Sequence, residues 1–274
     1  MILNTGSRTD IPAYFSDWFY KRIEEGYVMV RNPYYPEQVT RYVLNPSVVD
    51  VLVFCTKNPQ PMISRLERLS TYDMFWFVTI TPYGREIEPF VLPKEKVIES
   101  FRQLSEMTGR EKMSWRYDPV FITEKYSVDY HISCFAEMTE KLRGYTGQCV
   151  VSFLDLYEKT KRNFREARGV TRDEQERIIE AFAGIAEANG MQVPKKKTAR
   201  EACSCLLGAD IGVYNTCGHG CLYCYANYDR KSVEENRKRH DVNSPLLIGH
   251  LKETDHVKEA QQKSFKDTQM RLFL

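Results

Sequence analysis

The sequence predicts an α/β protein whose parallel strands form a partial or complete (β/α) barrel of TIM-barrel-like kind. Three observations predict it. Short apolar runs rich in Val, Ile, Phe and Trp alternate with amphipathic stretches, the pattern of strands buried on both faces and joined by helical crossovers. Such units number about six or seven, and 274 residues suit one barrel. Each run also ends in polar residues, as a barrel requires where its chemistry sits at the C-terminal ends of its strands.

The strands are expected at 2–6, 49–56, 74–81, 112–117, 149–155, 191–194 and 209–215. The first ends in Ser7-Arg8-Thr9-Asp10 and the second in Thr56-Lys57-Asn58. The third ends in Thr79-Ile80-Thr81, and the fourth in Arg116-Tyr117-Asp118 before Pro119, which is expected to fix a turn. The fifth ends in Ser152 and Asp155, the sixth leads into Lys195, Lys196 and Lys197, and the last into Asn215-Thr216-Cys217. Helical spacing of Val97, Phe101 and Leu104 predicts a helix before Gly109, and Ile132, Phe135, Met138 and Leu142 predict another before Gly144. Thr171 and Glu174 form a capping-box pattern ahead of Ile178, Phe182 and Ile185, with Gly190 as the stop. Two extended runs around Asn32-Pro33-Tyr34-Tyr35-Pro36 predict a hairpin insertion at 27–46. The barrel is expected over 1–227, with 228–274 as an extension packed on it.

Hydrophobic residues are 42% and charged residues 28% of the chain, which suits a protein with a sizeable core. The net charge of +2 offers no support for a nucleic-acid partner. No apolar run reaches membrane-span length, and the start has neither a charged n-region nor a long h-region. A cytoplasmic protein without a membrane partner is expected, and its eight cysteines are then not a disulfide framework. Cys55, Cys134 and Cys149 are scattered, as small buried hydrophobes usually are.

The other five cysteines lie between 203 and 224. Cys217, Cys221 and Cys224 are spaced Cys-x3-Cys-x2-Cys, with Gly218 and Gly220 giving the loop access to positive φ. Three thiolates on one short loop fill three corners of a [4Fe–4S] cubane and leave one iron open, whereas an electron-transfer cluster uses four cysteines. A closed tetrahedral zinc site, completed by His219, Cys203 or Cys205, is the alternative. A simple electron-transfer cluster with Cys203 or Cys205 as fourth ligand is another. Cys203 and Cys205 read equally as a buried pair or as functional thiols, the latter an extra ligand, a redox-active thiol near the substrate or part of a second metal site.

These three cysteines, with Tyr223 just before the third, resemble the radical SAM superfamily. More narrowly, Ser7-Arg8-Thr9-Asp10-Ile11-Pro12, Phe54-Cys55-Thr56-Lys57-Asn58-Pro59, Arg116-Tyr117-Asp118-Pro119 and the cysteine loop resemble the domain-of-unknown-function 1848 family. That family is similar to radical SAM enzymes such as spore photoproduct lyase. The resemblance implies a [4Fe–4S] cluster, reductive cleavage of S-adenosylmethionine to a 5′-deoxyadenosyl radical, and hydrogen abstraction from an unknown substrate in the barrel. It also implies an electron donor such as flavodoxin or ferredoxin, and it carries a nucleic-acid substrate only by analogy. Tyr223 inherits a place near the adenine. The cluster loop of the superfamily ordinarily follows the first strand, whereas here it follows the last. A circularly permuted barrel is therefore expected, with Ser7, Arg8, Thr9 and Asp10 where Gly-Gly-Glu normally stands and Asp10 accepting the amino group of S-adenosylmethionine. Arg116 and Asp118 are expected to bind substrate or cofactor or to form an ion pair at the rim. Lys57 and Asn58 are expected to face the cavity, a helix start after Pro59 being the other reading, and Asp155 completes the candidate set.

Overall fold

The computed structural model describes residues 1–156, 158–192 and 208–266. A parallel sheet organises them. Its strands are β1 (Ile2–Asn4), β4 (Val51–Thr56), β5 (Met74–Thr79), β6 (Met113–Val120), β7 (Cys149–Phe153) and β8 (Ala209–Asp210). The order across the sheet is β7-β6-β5-β4-β1-β8, and every neighbouring pair is parallel. The α/β class and the parallel sheet are as expected. Among the described residues no pairing joins β7 to β8. Gln192 bridges Gln148 beside β7; Met191 of the expected strand at 191–194 is buried but in no strand, and 193 and 194 lie outside the described residues.

The last strand of the sheet in sequence lies beside the first, with Leu3 opposite Ala209 and Asn4 opposite Asp210. This is the neighbour relation the permuted order requires. β8 is shorter than the expected 209–215 because Asp210 Oδ1 accepts the Gly212 N–H at 2.6 Å, an Asx turn that ends the strand. β6 runs longer than expected. Arg116, Asp118 and Pro119 lie within it, and the irregularity falls between Tyr117 and Val120, where a residue without an N–H does not interrupt the ladder.

Helices cover the outer side of this sheet. The first strand is followed by α1 (Ile11–Tyr14) and α2 (Ser16–Glu25), and β4 by α3 (Gln60–Ile63). α4 (Lys94–Thr108), α5 (Val128–Lys141), α6 (Glu158–Asn163) and α7 (Arg172–Ala188) follow in order, and α8 (Arg230–Lys238) comes after the cysteine loop. The capping box of Thr171 and Glu174 is formed at the start of α7. Strand side chains alternate between faces. On the helix side Phe54 stacks on Trp76 at 4.0 Å, Trp115 on Phe135 at 4.9 Å, and Phe135 on Phe182 at 3.8 Å. The opposite face carries Asn4, Cys55, Phe77, Arg116 and Ser152, a mixed polar wall.

The hairpin forms as β2 (Tyr27–Arg31) and β3 (Gln38–Val43), paired antiparallel, and β9 (His256–Glu259) adds to β3 in parallel. The extension is thus tied to the hairpin. It also reaches α2, where Trp18 Nε1 donates to the Ser244 carbonyl at 2.8 Å. Among the described residues no helix is long and apolar enough to cross a membrane.

Candidate functional site

The loop after β8 is closed at its base. Asn215 sits at φ 58° and receives the Tyr228 N–H on its side chain, while its own N–H donates to the Ala226 carbonyl at 3.0 Å. Asn227 Nδ2 donates to the Cys217 carbonyl at 2.7 Å, and the Cys224 N–H to the Cys221 carbonyl at 3.1 Å. These bonds gather Cys217, Cys221 and Cys224, all half-buried and free, on one turn of chain. Burial raises the Cys217 thiol well above its ordinary value, and Asp10, Cys224 and Cys221 add to it. Burial likewise pushes Cys221 up to about 12 against the pull of Lys57, with Glu88 and Cys224 opposing that pull.

Gly220 lies at φ 68°, and a Cβ there would stand 2.9 Å from the Phe90 ring. Gly220→Ala is expected to cost roughly 2 kcal/mol through left-handed strain and this clash, as read by urea denaturation.

The loop after β1 is bonded directly to this turn. The Tyr225 hydroxyl donates to the Ser7 carbonyl, Thr216 Oγ1 to Thr9 Oγ1 at 2.8 Å, and Arg8 lies over the Tyr214 ring at 5.6 Å. Arg8 also lines, with Tyr34, Tyr42 and Asp210, a cleft of about 380 Å³ between the hairpin and β8. Asp210 Oδ2 accepts the Ser7 N–H at 2.8 Å.

Asp10 is the centre of the junction and is buried. Its Oδ1 caps α1 by accepting the Ala13 N–H at 3.0 Å, and its Oδ2 accepts the Lys57 N–H at 2.8 Å. Oδ2 also meets His219 Nε2 at 2.8 Å, and His219 Nδ1 meets the Tyr14 hydroxyl at 3.0 Å. Burial first, then Cys217 and Asp10, raise the Tyr14 phenol far above its ordinary value, so it donates to Nδ1 while Nε2–H donates to Asp10. Asp10 thus lies against the cysteine loop as expected, but neither oxygen stands open to an amino group: Oδ1 caps α1, and Oδ2 holds the Lys57 N–H and His219. His219 is likewise engaged at both ring nitrogens. Asp10→Ala removes the cap and orphans two buried donors, with an expected loss on the order of 3 kcal/mol in urea denaturation.

A second cluster lies on the other side of the cysteine loop. Glu88 is 1% exposed. Its Oε1 accepts Lys57 Nζ at 2.8 Å, Thr81 Oγ1 at 2.7 Å and the Tyr223 hydroxyl, and its Oε2 accepts Lys94 Nζ. Tyr223 is packed edge-on to Tyr83 at 5.9 Å and near Phe121 at 6.0 Å. The expected cavity-facing Lys57 is therefore part of a buried charge set, whereas Asn58 closes a local turn, its Oδ1 accepting the Gln60 N–H at 3.2 Å. On the face of the sheet opposite the helices Arg116 pairs with Asp118, which also accepts from Ser152. Burial pushes the neighbouring Cys55 thiol up to about 11, with Arg116 opposing. Asp155 is exposed beyond β7. Cys203, Cys205 and Lys195, Lys196 and Lys197 lie outside the described residues.

A family model described as a domain of unknown function, DUF1848, matches residues 2–195 and 192–226. The chain belongs to this family. The second matched segment takes in all three cysteines of the loop. No curated protein matches the chain, and no solved structure does.

Among the described residues of this DUF1848 chain, no group of three or more His, Cys, Asp or Glu is arranged to hold a metal ion. A single zinc needs sulfurs about 3.8 Å apart, whereas thiolates on a cubane each take a different iron and stand wider. The donors on this turn are three thiols, each acting electrostatically on another, and the one imidazole of the loop is engaged elsewhere.

The sequence pattern named Thr81 only as a polar strand end, missed Glu88, Lys94 and Tyr14, and offered His219 only as a zinc ligand. Glu88 did carry a signal. It is a carboxylate set directly between Ile87 and Pro89-Phe90-Val91, and an acidic residue buried among apolar neighbours is almost always partnered.

Proposed function

We propose that this chain is a radical SAM-type enzyme in which Cys217, Cys221 and Cys224 hold a [4Fe–4S] cluster with one iron left for S-adenosylmethionine. The observation that carries the reading is the clasp. Three thiols on one closed turn are bonded through His219–Asp10 and Tyr225–Ser7 to the C-terminal end of the neighbouring parallel strand. When bound, such a cluster supplies the electron that cleaves S-adenosylmethionine to methionine and a 5′-deoxyadenosyl radical, which takes hydrogen from the substrate.

The chain's own residues supply placement. Asp10 and His219 fix the turn, so the three sulfurs keep their spacing as the ligand enters. Tyr223 holds the same turn from the other side through Glu88. The wall of Cys55, Arg116, Asp118 and Ser152 offers the substrate a charged, hydrogen-bonding surface on the inner face of the sheet. The guanidinium of Arg116, aligned by Asp118, suits a substrate with a carboxylate or another planar anionic group. A one-electron donor such as flavodoxin or ferredoxin reaches the turn from outside, where Tyr225 is half exposed. A zinc reading draws no support from His219, whose nitrogens are both engaged.

Anaerobic reconstitution with ferrous iron and sulfide tests the reading. The expected result is about four iron atoms per chain and a reduced-state electron paramagnetic resonance signal that changes on adding S-adenosylmethionine. A protein that takes up zinc but no cluster, or whose signal ignores S-adenosylmethionine, would contradict it.

A further inference from the structure

Glu88 has two ammonium partners, Lys57 and Lys94, each bonded to a different carboxylate oxygen. Burial alone would raise the Glu88 carboxyl, but Lys57 and Lys94 together hold it well below the usual carboxylate range, so it is ionised. One carboxylate balances one of the two ammonium groups. The set therefore carries a surplus positive charge in a place where Glu88 is fully buried and the lysine side chains are 12% and 21% exposed. Asp118 acts on Lys57 from farther away but is already paired with Arg116.

The surplus faces the cysteine loop. Lys57 Nζ lies 5.7 Å from the centre of the Tyr223 ring, between Cys221 and Cys224 in sequence. Cys221 acts electrostatically on both Lys57 and Lys94. The Leu222 N–H donates to the carbonyl of Ile87, the residue next to Glu88, at 3.1 Å. A surplus buried charge costs several kcal/mol unless an opposite charge completes it, and Cys221, which acts on both lysines, becomes such a charge once it ligates the cluster as a thiolate.

We propose that Lys57, Glu88 and Lys94 are positioning residues whose surplus positive charge sets the reduction potential of the cluster held by Cys217, Cys221 and Cys224. This rests on the cluster reading above. An oxidised cubane with three thiolates carries one net negative charge and the reduced form two, so a nearby positive charge stabilises the reduced form and raises the potential. The set makes the cluster easier to reduce by a weak one-electron donor. It also fixes where that charge sits, because Thr81 and Tyr223 hold Glu88 in a single orientation.

The test is a potentiometric titration of the reconstituted cluster, followed by electron paramagnetic resonance, in the wild type and in charge variants of the full chain. Lys94→Met is expected to move the midpoint potential negative and Glu88→Gln to move it positive, while Lys94→Arg stays near the wild type. Lys96→Met, an exposed lysine on the same helix, is expected to leave it unchanged. Opposite shifts from two variants of one ion pair separate charge from mere loosening, which would move both the same way. Should Glu88→Gln fail to keep its cluster, Lys94→Met against Lys94→Arg still decides. A wild-type cluster whose potential is indifferent to Lys94→Met, or shifts of one sign in both variants, would overturn this inference alone. A wild type that takes up no cluster would overturn the cluster reading and this inference with it.

Discussion

Cys221→Ala is expected to fold normally and to keep almost no iron after anaerobic reconstitution, against about four atoms per chain in the wild type. Truncating a half-buried thiol removes little apolar volume, so the scaffold survives. What goes is one of three ligands on a cluster that already has an open iron. Cys217→Ala and Cys224→Ala are expected to behave alike, because the loop is closed at Asn215 and Asn227 without help from any sulfur. Cys55→Ala and Cys134→Ala are the comparison, with iron uptake expected to match the wild type. Iron per chain and circular dichroism on the same samples check both halves. Iron retained in all three loop variants would remove these thiols from the site.

The second large effect concerns Glu88. Glu88→Ala is expected to lower stability by about 3–5 kcal/mol in urea denaturation, because it leaves two buried ammonium groups facing one another without their carboxylate. Adding Lys94→Met to Glu88→Ala is expected to restore part of the loss, since the repulsion goes with the second charge. The pH dependence has a definite sign. The folded-state value of Glu88 lies well below its ordinary 4.5, so in acid the unfolded chain binds more protons and stability rises with pH. The contribution is complete above about pH 4.5 and is lost as pH falls toward the folded-state value. Glu88→Gln is expected to flatten this part of the acid-unfolding curve. An unaltered slope would show that other carboxylates dominate it.

The sheet was legible because Val51–Thr56, Met74–Thr79 and Cys149–Phe153 read as near-continuous apolar runs. Their ends were less so. β8 stops at Asp210 through a side-chain bond to Gly212, and β6 carries Pro119 within the strand. Both depend on local geometry that residue type alone does not fix. β9 was invisible because His256–Glu259 has no apolar alternation and is a strand only through its pairing with the hairpin. At the site, cysteine spacing and the polar strand ends named Asp10, Lys57 and Arg116 together. The partners of these residues come from segments far apart in sequence. His219 meets Asp10 across 209 positions and Tyr223 meets Glu88 across 135, distances over which no periodicity speaks. A carboxylate that spends both oxygens on the scaffold looks, in sequence, the same as one open to a ligand.

The most direct measurement of the central claim is product analysis. The reconstituted, reduced protein is incubated with S-adenosylmethionine, and 5′-deoxyadenosine and methionine are quantified by liquid chromatography. The account predicts that both form in equal amounts in the wild type and that neither forms in the Cys221→Ala chain. A wild-type protein with a full, reducible cluster that releases no 5′-deoxyadenosine would contradict it.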